Sequence, residues 1–160
     1  MESKEERRIL VAVDGGDESL YALSWCLKYI VSDNYKDTLI LFYAKPPPTL
    51  YPDVDGTGYL FSSDVIASVE KYSNDLAECV IEKCRRVCKD SQNEVKVEIK
   101  VENGDPRDVI CEMSEKLKTD VLVLGSHGYG FIKRALLGSV SNHCAQNAKC
   151  PVLIVKRPKH

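Results

Sequence analysis

Apolar residues along the chain follow two alternating rhythms. Five short runs have strand character: ILVAV (9–13), TLILFYA (38–44), VKVEIKV (95–101), VLVL (121–124) and VLIV (152–155). Four of them are nearly continuous apolar runs, the pattern of strands covered on both faces, whereas VKVEIKV alternates strictly and suits a half-exposed edge. Helical spacing fills the intervals. Leu20, Leu23, Leu27 and Ile30 recur at i, i+3, i+7 and i+10; Val65, Val69, Leu76 and Val80 begin a longer helix; Val109, Ile110, Met113 and Leu117 mark a third. Pro106, after a Gly104-Asp105 turn, suits the first turn of that third helix, where its missing N–H costs nothing. A fourth helix is expected to begin at Ser139 and to stop before Cys150-Pro151, because the residue before a proline avoids helical geometry. The order β-α-β-α-β-α-β-α-β predicts an α/β fold: a parallel sheet with helices on both faces and right-handed crossovers. No internal repeat or linker divides the chain, so residues 1–160 are read as a single domain.

At 160 residues the chain is long enough to bury a sizeable core and short for two ordinary domains. Its formal charge of -2, from 22 basic against 24 acidic residues, supplies no global field for nucleic acid or an anionic membrane, so any anion site must be local. The opening MESKEERR has no apolar signal core, and no run approaches the roughly 18 apolar residues that span a bilayer. The chain therefore reads as soluble and cytoplasmic, with nuclear access left open. Seven cysteines, Cys26, Cys79, Cys84, Cys88, Cys111, Cys144 and Cys150, are an odd number, and most fall where apolar helix faces are expected, which fits free thiols in a reducing compartment. Cys79, Cys84 and Cys88 lie five and four apart on one helix and cannot all converge on a metal. His127 and His143, without a carboxylate at ligand spacing, make a poor zinc site, so no metal is expected.

One segment breaks the rhythm. Residues 45–63, KPPPTLYPDVDGTGYLFSS, combine four prolines with Gly56 and Gly58 and read as a flexible loop longer than most connections. It is either an insertion with no part in chemistry or, through Tyr51, Tyr59 and Phe61, a lid or partner contact.

The richest stretch is GSHGYGFIKRALLGS, residues 125–139, with four glycines between the fourth strand and the fourth helix. In open α/β sheets ligands bind beyond the carboxyl ends of the strands, where the strand order reverses. Glycines there let a ligand approach backbone N–H groups without a Cβ in the way. Gly138-Ser139 would open a helix whose first N–H groups lack partners and whose dipole favours an anion, with Ser139 and Ser141 adding hydroxyl donors. Two familiar phosphate motifs fail. Gly125 and Gly130 have Walker spacing, but Phe131 and Ile132 stand where lysine and serine or threonine belong; Gly128-Tyr129-Gly130 meets Lys133 where a dinucleotide fingerprint needs its third glycine.

The stretch does match G-x2-G-x9-G-[ST], through Gly125, Gly128, Gly138 and Ser139. In this setting it resembles the ATP-binding motif of the universal stress protein family, in its single-domain, plant-like form. The likeness extends to ILVAVDGG at the start, the GDP turn before the third helix, VLVLGSHG and CPVLIVK. It implies a flavodoxin-like, doubly wound, five-stranded sheet of order 3-2-1-4-5. It further implies that Ala12, Val13 and Asp14 line the adenine and ribose of ATP or AMP, with Asp14 accepting from the hydroxyls and Ala44 walling the base pocket. Gly125, His127 and Gly128 would pass under the sugar and first phosphates, and Gly138, Ser139, Val140 and Ser141 would receive the outer phosphates, with Mg2+ carried by the nucleotide. An antiparallel homodimer through strand 152–155 is implied as well. The chain departs from the pattern at Gly16, where many relatives have serine or threonine, leaving the first helix without its usual cap unless Asp17 serves.

The implied function is nucleotide-dependent regulation in a stress response rather than turnover, because no Walker-type lysine or acidic metal pair is evident. A slow ATPase or autophosphorylating enzyme, and a dimeric scaffold with a vestigial pocket, are the alternatives. Position alone leaves Asp14 either a turn residue or a ligand contact, His127 a loop residue or a contact, and Lys133 and Arg134 phosphate partners or solvated charges.

Overall fold

The computed structural model describes residues 3–45, 63–127 and 138–158. Their elements run β1 (Glu6–Val13), α1 (Asp17–Tyr29), β2 (Lys36–Lys45), α2 (Ser63–Asp90), β3 (Lys96–Asn103), α3 (Pro106–Lys116), β4 (Val121–Gly125), α4 (Ser139–Asn147) and β5 (Val152–Val155). The strands form one sheet in the order β3-β2-β1-β4-β5, and all four strand pairs are parallel. Each element expected from the periodicity is present, and the alternating strand β3 lies at an edge. The first two strands are longer than their apolar runs. Glu6, Arg7 and Arg8 continue the ladder opposite Lys36, Asp37 and Thr38, so backbone pairing carries both strands beyond their apolar positions.

Alternation along the central strands divides the core. Ile9, Val11 and Val13, with Leu39, Leu41 and Tyr43, pack against Leu23 and Leu27 of α1 and Val80, Ile81 and Cys84 of α2. Leu10 and Ala12, with Ile40, Phe42 and Ala44, pack against Ile110 and Met113 of α3 and Cys144 of α4. Both faces are covered, which is why these strands are apolar at successive positions. α3 starts where the GDP turn was expected to start it: Asp105 caps it by accepting from the Arg107 N–H, and Pro106 occupies the first turn.

At the amino end of the sheet the core closes on an ion pair. Arg7 Nε donates to Asp37 Oδ1 at 2.7 Å, and its Nη2 donates to Asp37 Oδ2 at 2.9 Å and to the Ile30 carbonyl at 2.8 Å. The Ser32 N–H adds a bond of 3.0 Å to Asp37 Oδ2, and the guanidinium lies 3.7 Å from the centre of the Tyr35 ring. This one fork ties β1, β2 and the end of α1 together. Asp37 has a side chain only 2 % exposed, and burial alone would raise its pKa. The hydrogen bonds from Arg7 and Ser32 and the charge of Arg7 outweigh burial and hold the carboxyl below its ordinary 3.8.

Asp37→Asn keeps the shape and removes the charge, and is expected to cost about 2–3 kcal/mol in urea unfolding at pH 7. Because the folded carboxyl binds its proton less tightly than the unfolded one, its contribution is complete above the ordinary carboxyl range and is lost as pH falls through the lowered value. The gap between parent and variant should therefore narrow on acidification. A gap that stays constant through the acid limb would contradict this account.

Candidate functional site

Between β1 and β4 the chain parts company with itself. β1 leads into α1 on one face of the sheet, and β4 leads toward α4 on the other. The carboxyl ends of these neighbouring strands therefore border a crevice from which both connections turn away.

The first wall is the turn Asp14-Gly15-Gly16. Asp14 Oδ1 accepts from the Gly16 N–H at 2.8 Å; the Ser19 hydroxyl accepts from the Asp14 N–H at 3.2 Å and donates to the Gly16 carbonyl at 3.2 Å. These bonds answer the question raised by Gly16, which caps α1 without a side chain. Asp14 from upstream and Ser19 from within the helix order the turn, while Asp17 pairs with Arg157 at 3.4 Å and plays no part in capping. Gly15 has φ +84°, and a Cβ there would sit 2.9 Å from Val80 Cγ2, so this position admits only glycine without strain. The sequence signal for Gly15 is the DGG tripeptide between strand and helix.

The second wall is built on Ser126, which is 3 % exposed and carried no signal in the sequence beyond its place in the glycine-rich run. Its N–H donates to the Val155 carbonyl at 3.1 Å, and its carbonyl accepts from the Gly138 N–H at 2.7 Å and from the Ser141 hydroxyl at 2.8 Å. The Ser141 hydroxyl, which also lies 3.1 Å from the Gly138 carbonyl, and the Gly138 N–H are thus both engaged inside the protein. That leaves the N–H groups of Ser139, Val140 and Ser141 as those in the first turn of α4 without helical acceptors. α1, α2 and α3 each carry acidic residues in the first turn, and α4 carries none. Its dipole is thus uncompensated by its own side chains.

Gly125 has a packing reason of its own. A Cβ there would lie 2.9 Å from both the carbonyl carbon and oxygen of Glu18, so its glycine lets the start of α1 rest on the end of β4. Ala12 and Ala44, 7 % and 8 % exposed, are small side chains on the α3/α4 face, and Val140 packs against the same cluster. Val13 points into the other core with Tyr43, so only its backbone is available to anything held beside Ala12 and Ala44. His127 is half-buried with Nδ1 3.1 Å from the Ser126 hydroxyl. His143 stands on α4, 3.9 Å from Asp108 of α3 and bonded to Asn147, in keeping with a helix-surface residue. Gly128, with Lys133 and Arg134, lies outside the described residues, as do residues 46–62 of the loop expected over 45–63, whose end residues Lys45 and Ser63 belong to β2 and α2. Among the described residues no cluster of three histidine, cysteine or acidic side chains could hold a metal ion, and no helix is long and apolar enough to cross a membrane.

The architecture defines a flavodoxin-like protein with a crevice at the β1/β4 crossing. Residues 6–156 match the Universal stress protein family, and the chain belongs to that family. It is 29% identical to a universal stress protein A-like protein of Arabidopsis thaliana, over 96% of this chain and 91% of that one. It is also 29% identical to a universal stress protein of Methanocaldococcus jannaschii, over 96% and 84%. Among solved structures, a universal stress protein from Lactobacillus plantarum superimposes with a TM-score of 0.75 at 16% identity, covering 96% of this chain and 99% of that one. A universal stress protein solved in complex with cAMP superimposes with a TM-score of 0.65 at 27% identity, covering 93% and 96%.

Three substitutions test the two walls by chemical unfolding. Gly15→Ala and Gly125→Ala should each destabilise by about 1–3 kcal/mol, the first through a positive φ and a contact with Val80, the second by pressing on the backbone of Glu18. Ser141→Ala should cost about 1–2 kcal/mol by removing the buried bond to Ser126. A neutral Gly125→Ala would mean that α1 is free to move away from β4.

Proposed function

We propose that the protein is an adenine-nucleotide-binding regulatory protein that takes ATP or AMP at the β1/β4 crossing and acts through its bound state, with little turnover of its own. The observation that carries this reading is the start of α4. Its three N–H groups without helical acceptors, its lack of a first-turn acid and its anchorage on Ser126 suit a phosphate better than any side chain of the protein. Ala12 and Ala44 leave room for a flat base because their side chains end at Cβ. Asp14, at the end of β1, offers a carboxylate to ribose hydroxyls while its Oδ1 also orders the turn. The backbone of Val13 and the segment Gly125, His127 and Gly128 complete the enclosure, and Mg2+ accompanies ATP as the nucleotide's counterion. The relative solved with cAMP supports a nucleotide of this chemical class.

The same reading includes one folded unit over residues 1–160 and a homodimer. Val152, Leu153 and Ile154 of β5 are half-buried on an outer strand whose far edge has no partner among the described residues, the arrangement that a second copy can extend. Light scattering should give twice the mass of one chain, and a monomer at high concentration would remove the dimer from the proposal.

Calorimetry with ATP and with AMP tests the site, each variant first shown folded by circular dichroism. Gly128→Val should nearly abolish binding, by placing a branched side chain where the backbone must approach the phosphates. Ser139→Ala should lose about 1–3 kcal/mol and no more, because the helix N–H groups remain. Asp14→Asn, which keeps an acceptor for the Gly16 N–H, should weaken binding about tenfold. Parental affinity in Gly128→Val would reduce the glycines to turn formers, and the absence of any nucleotide binding by the parent would overturn the function itself.

A further inference from the structure

Seven thiols are present, yet among the described residues only one pair is in contact. Cys111 Sγ of α3 lies 3.8 Å from Cys144 Sγ of α4, its S–H directed at the partner sulfur. Cys144 is 0 % exposed in the core on that face of the sheet, whereas Cys111 is half-buried, and Cys150 packs against the same cluster. A disulfide needs an S–S distance of about 2.04 Å, so closing this pair asks for less than about 2 Å of relative movement between two packed helices.

We propose that Cys111 and Cys144 are a thiol modification site, converted by hydrogen peroxide into a disulfide that pins α3 to α4. The Cys111 thiolate attacks one peroxide oxygen; the S–O bond forms, the O–O bond breaks, and the departing hydroxide takes up a proton to become water. Cys144 sulfur then attacks the sulfur of the Cys111 sulfenic acid, expelling hydroxide, which leaves as water with the Cys144 proton. Two thiols lose two electrons and two protons, and one peroxide becomes two waters.

The order of attack follows from the surroundings. Burial raises both thiols, Cys144 up to about 12, while the hydrogen bond between the two sulfurs offsets part of the rise at Cys111. The more accessible sulfur is thus also the better thiolate, and the buried one resolves. Cys26 and Cys84 are likewise 0 % exposed and are raised to about 12, chiefly by burial; Cys88 lies near enough to raise both, but among the described residues the sulfur–sulfur contact is that of Cys111 with Cys144. The site is independent of any nucleotide.

The test uses the full chain, reduced, exposed to hydrogen peroxide, blocked with N-ethylmaleimide under denaturing conditions and cut with trypsin. Cleavage after Arg107, Lys116, Arg134 and Lys149 puts Cys111 in peptide 108–116, Cys144 in 135–149 and Cys150 in 150–156, so each pairing has its own mass. The expected product joins 108–116 to 135–149, disappears on reduction, persists in Cys150→Ser and is absent in Cys111→Ser. Its rate of formation should rise about tenfold per pH unit near neutrality, because the thiolate is the minor form there. A link from Cys111 to Cys150, or Cys111 sulfinic acid accumulating while Cys144 stays a free thiol, would overturn the proposal.

Discussion

The peptide units around Ser126 fix where the site-bearing end of the sheet stops and its helix begins. The Ser126 N–H is bonded to β5, and its carbonyl takes both the Gly138 N–H and the Ser141 hydroxyl. A carbonyl with two donors is fully used, so it does not compete for the N–H groups of the following turn. α4 is thereby held at its first residue with its dipole directed out of the sheet's carboxyl end and with no acid of its own there. Remove the two bonds to Ser126 and the helix could still form, but its start would no longer be placed against β4.

The two ends of the sheet solve opposite problems. At the amino end, Asp37 is buried and its oxygens are taken by Arg7 and Ser32, so charge and hydrogen-bonding capacity are consumed internally. At the carboxyl end, the close approach of α1 to β4 through Gly125 and the left-handed Gly15 bring backbone, not bulky side chains, to the crevice. Stability is concentrated where nothing has to enter, and backbone hydrogen-bonding capacity is left where a ligand could use it.

Much of this was legible in the residues because burial writes itself into periodicity. Strands covered on both faces are apolar throughout and a half-exposed strand alternates, so the edge at β3 was visible in VKVEIKV, whereas the other edge strand, β5, is apolar and was not marked by alternation. The charged beginnings of β1 and β2 were not visible, because Glu6 to Arg8 owe their strand geometry to backbone pairing and to an Arg7–Asp37 contact thirty residues apart. The site divides in the same way. Glycine spacing pointed to the region, but not to the reason for Gly125, which is the carbonyl of Glu18, a residue 107 positions earlier in the sequence. Ser126 and Ser141 could not be assigned their roles from composition, since a serine that donates inward and one that faces a ligand look alike until the chain is folded.

The thiol pair connects these themes. Cys144 belongs to the same short helix as Ser141, one turn nearer its carboxyl end, and both side chains face the protein interior. One holds the start of α4 to β4 by a hydrogen bond; the other holds its middle against α3 by packing, with a second sulfur in reach. A helix of nine residues fixed at two points moves as a rigid piece, so any change in the separation of α3 and α4 is borne by the bonds at Ser126 or by the packing around Cys144. The sulfur pair and the hydrogen bond that places the start of the helix are therefore carried by one nine-residue element.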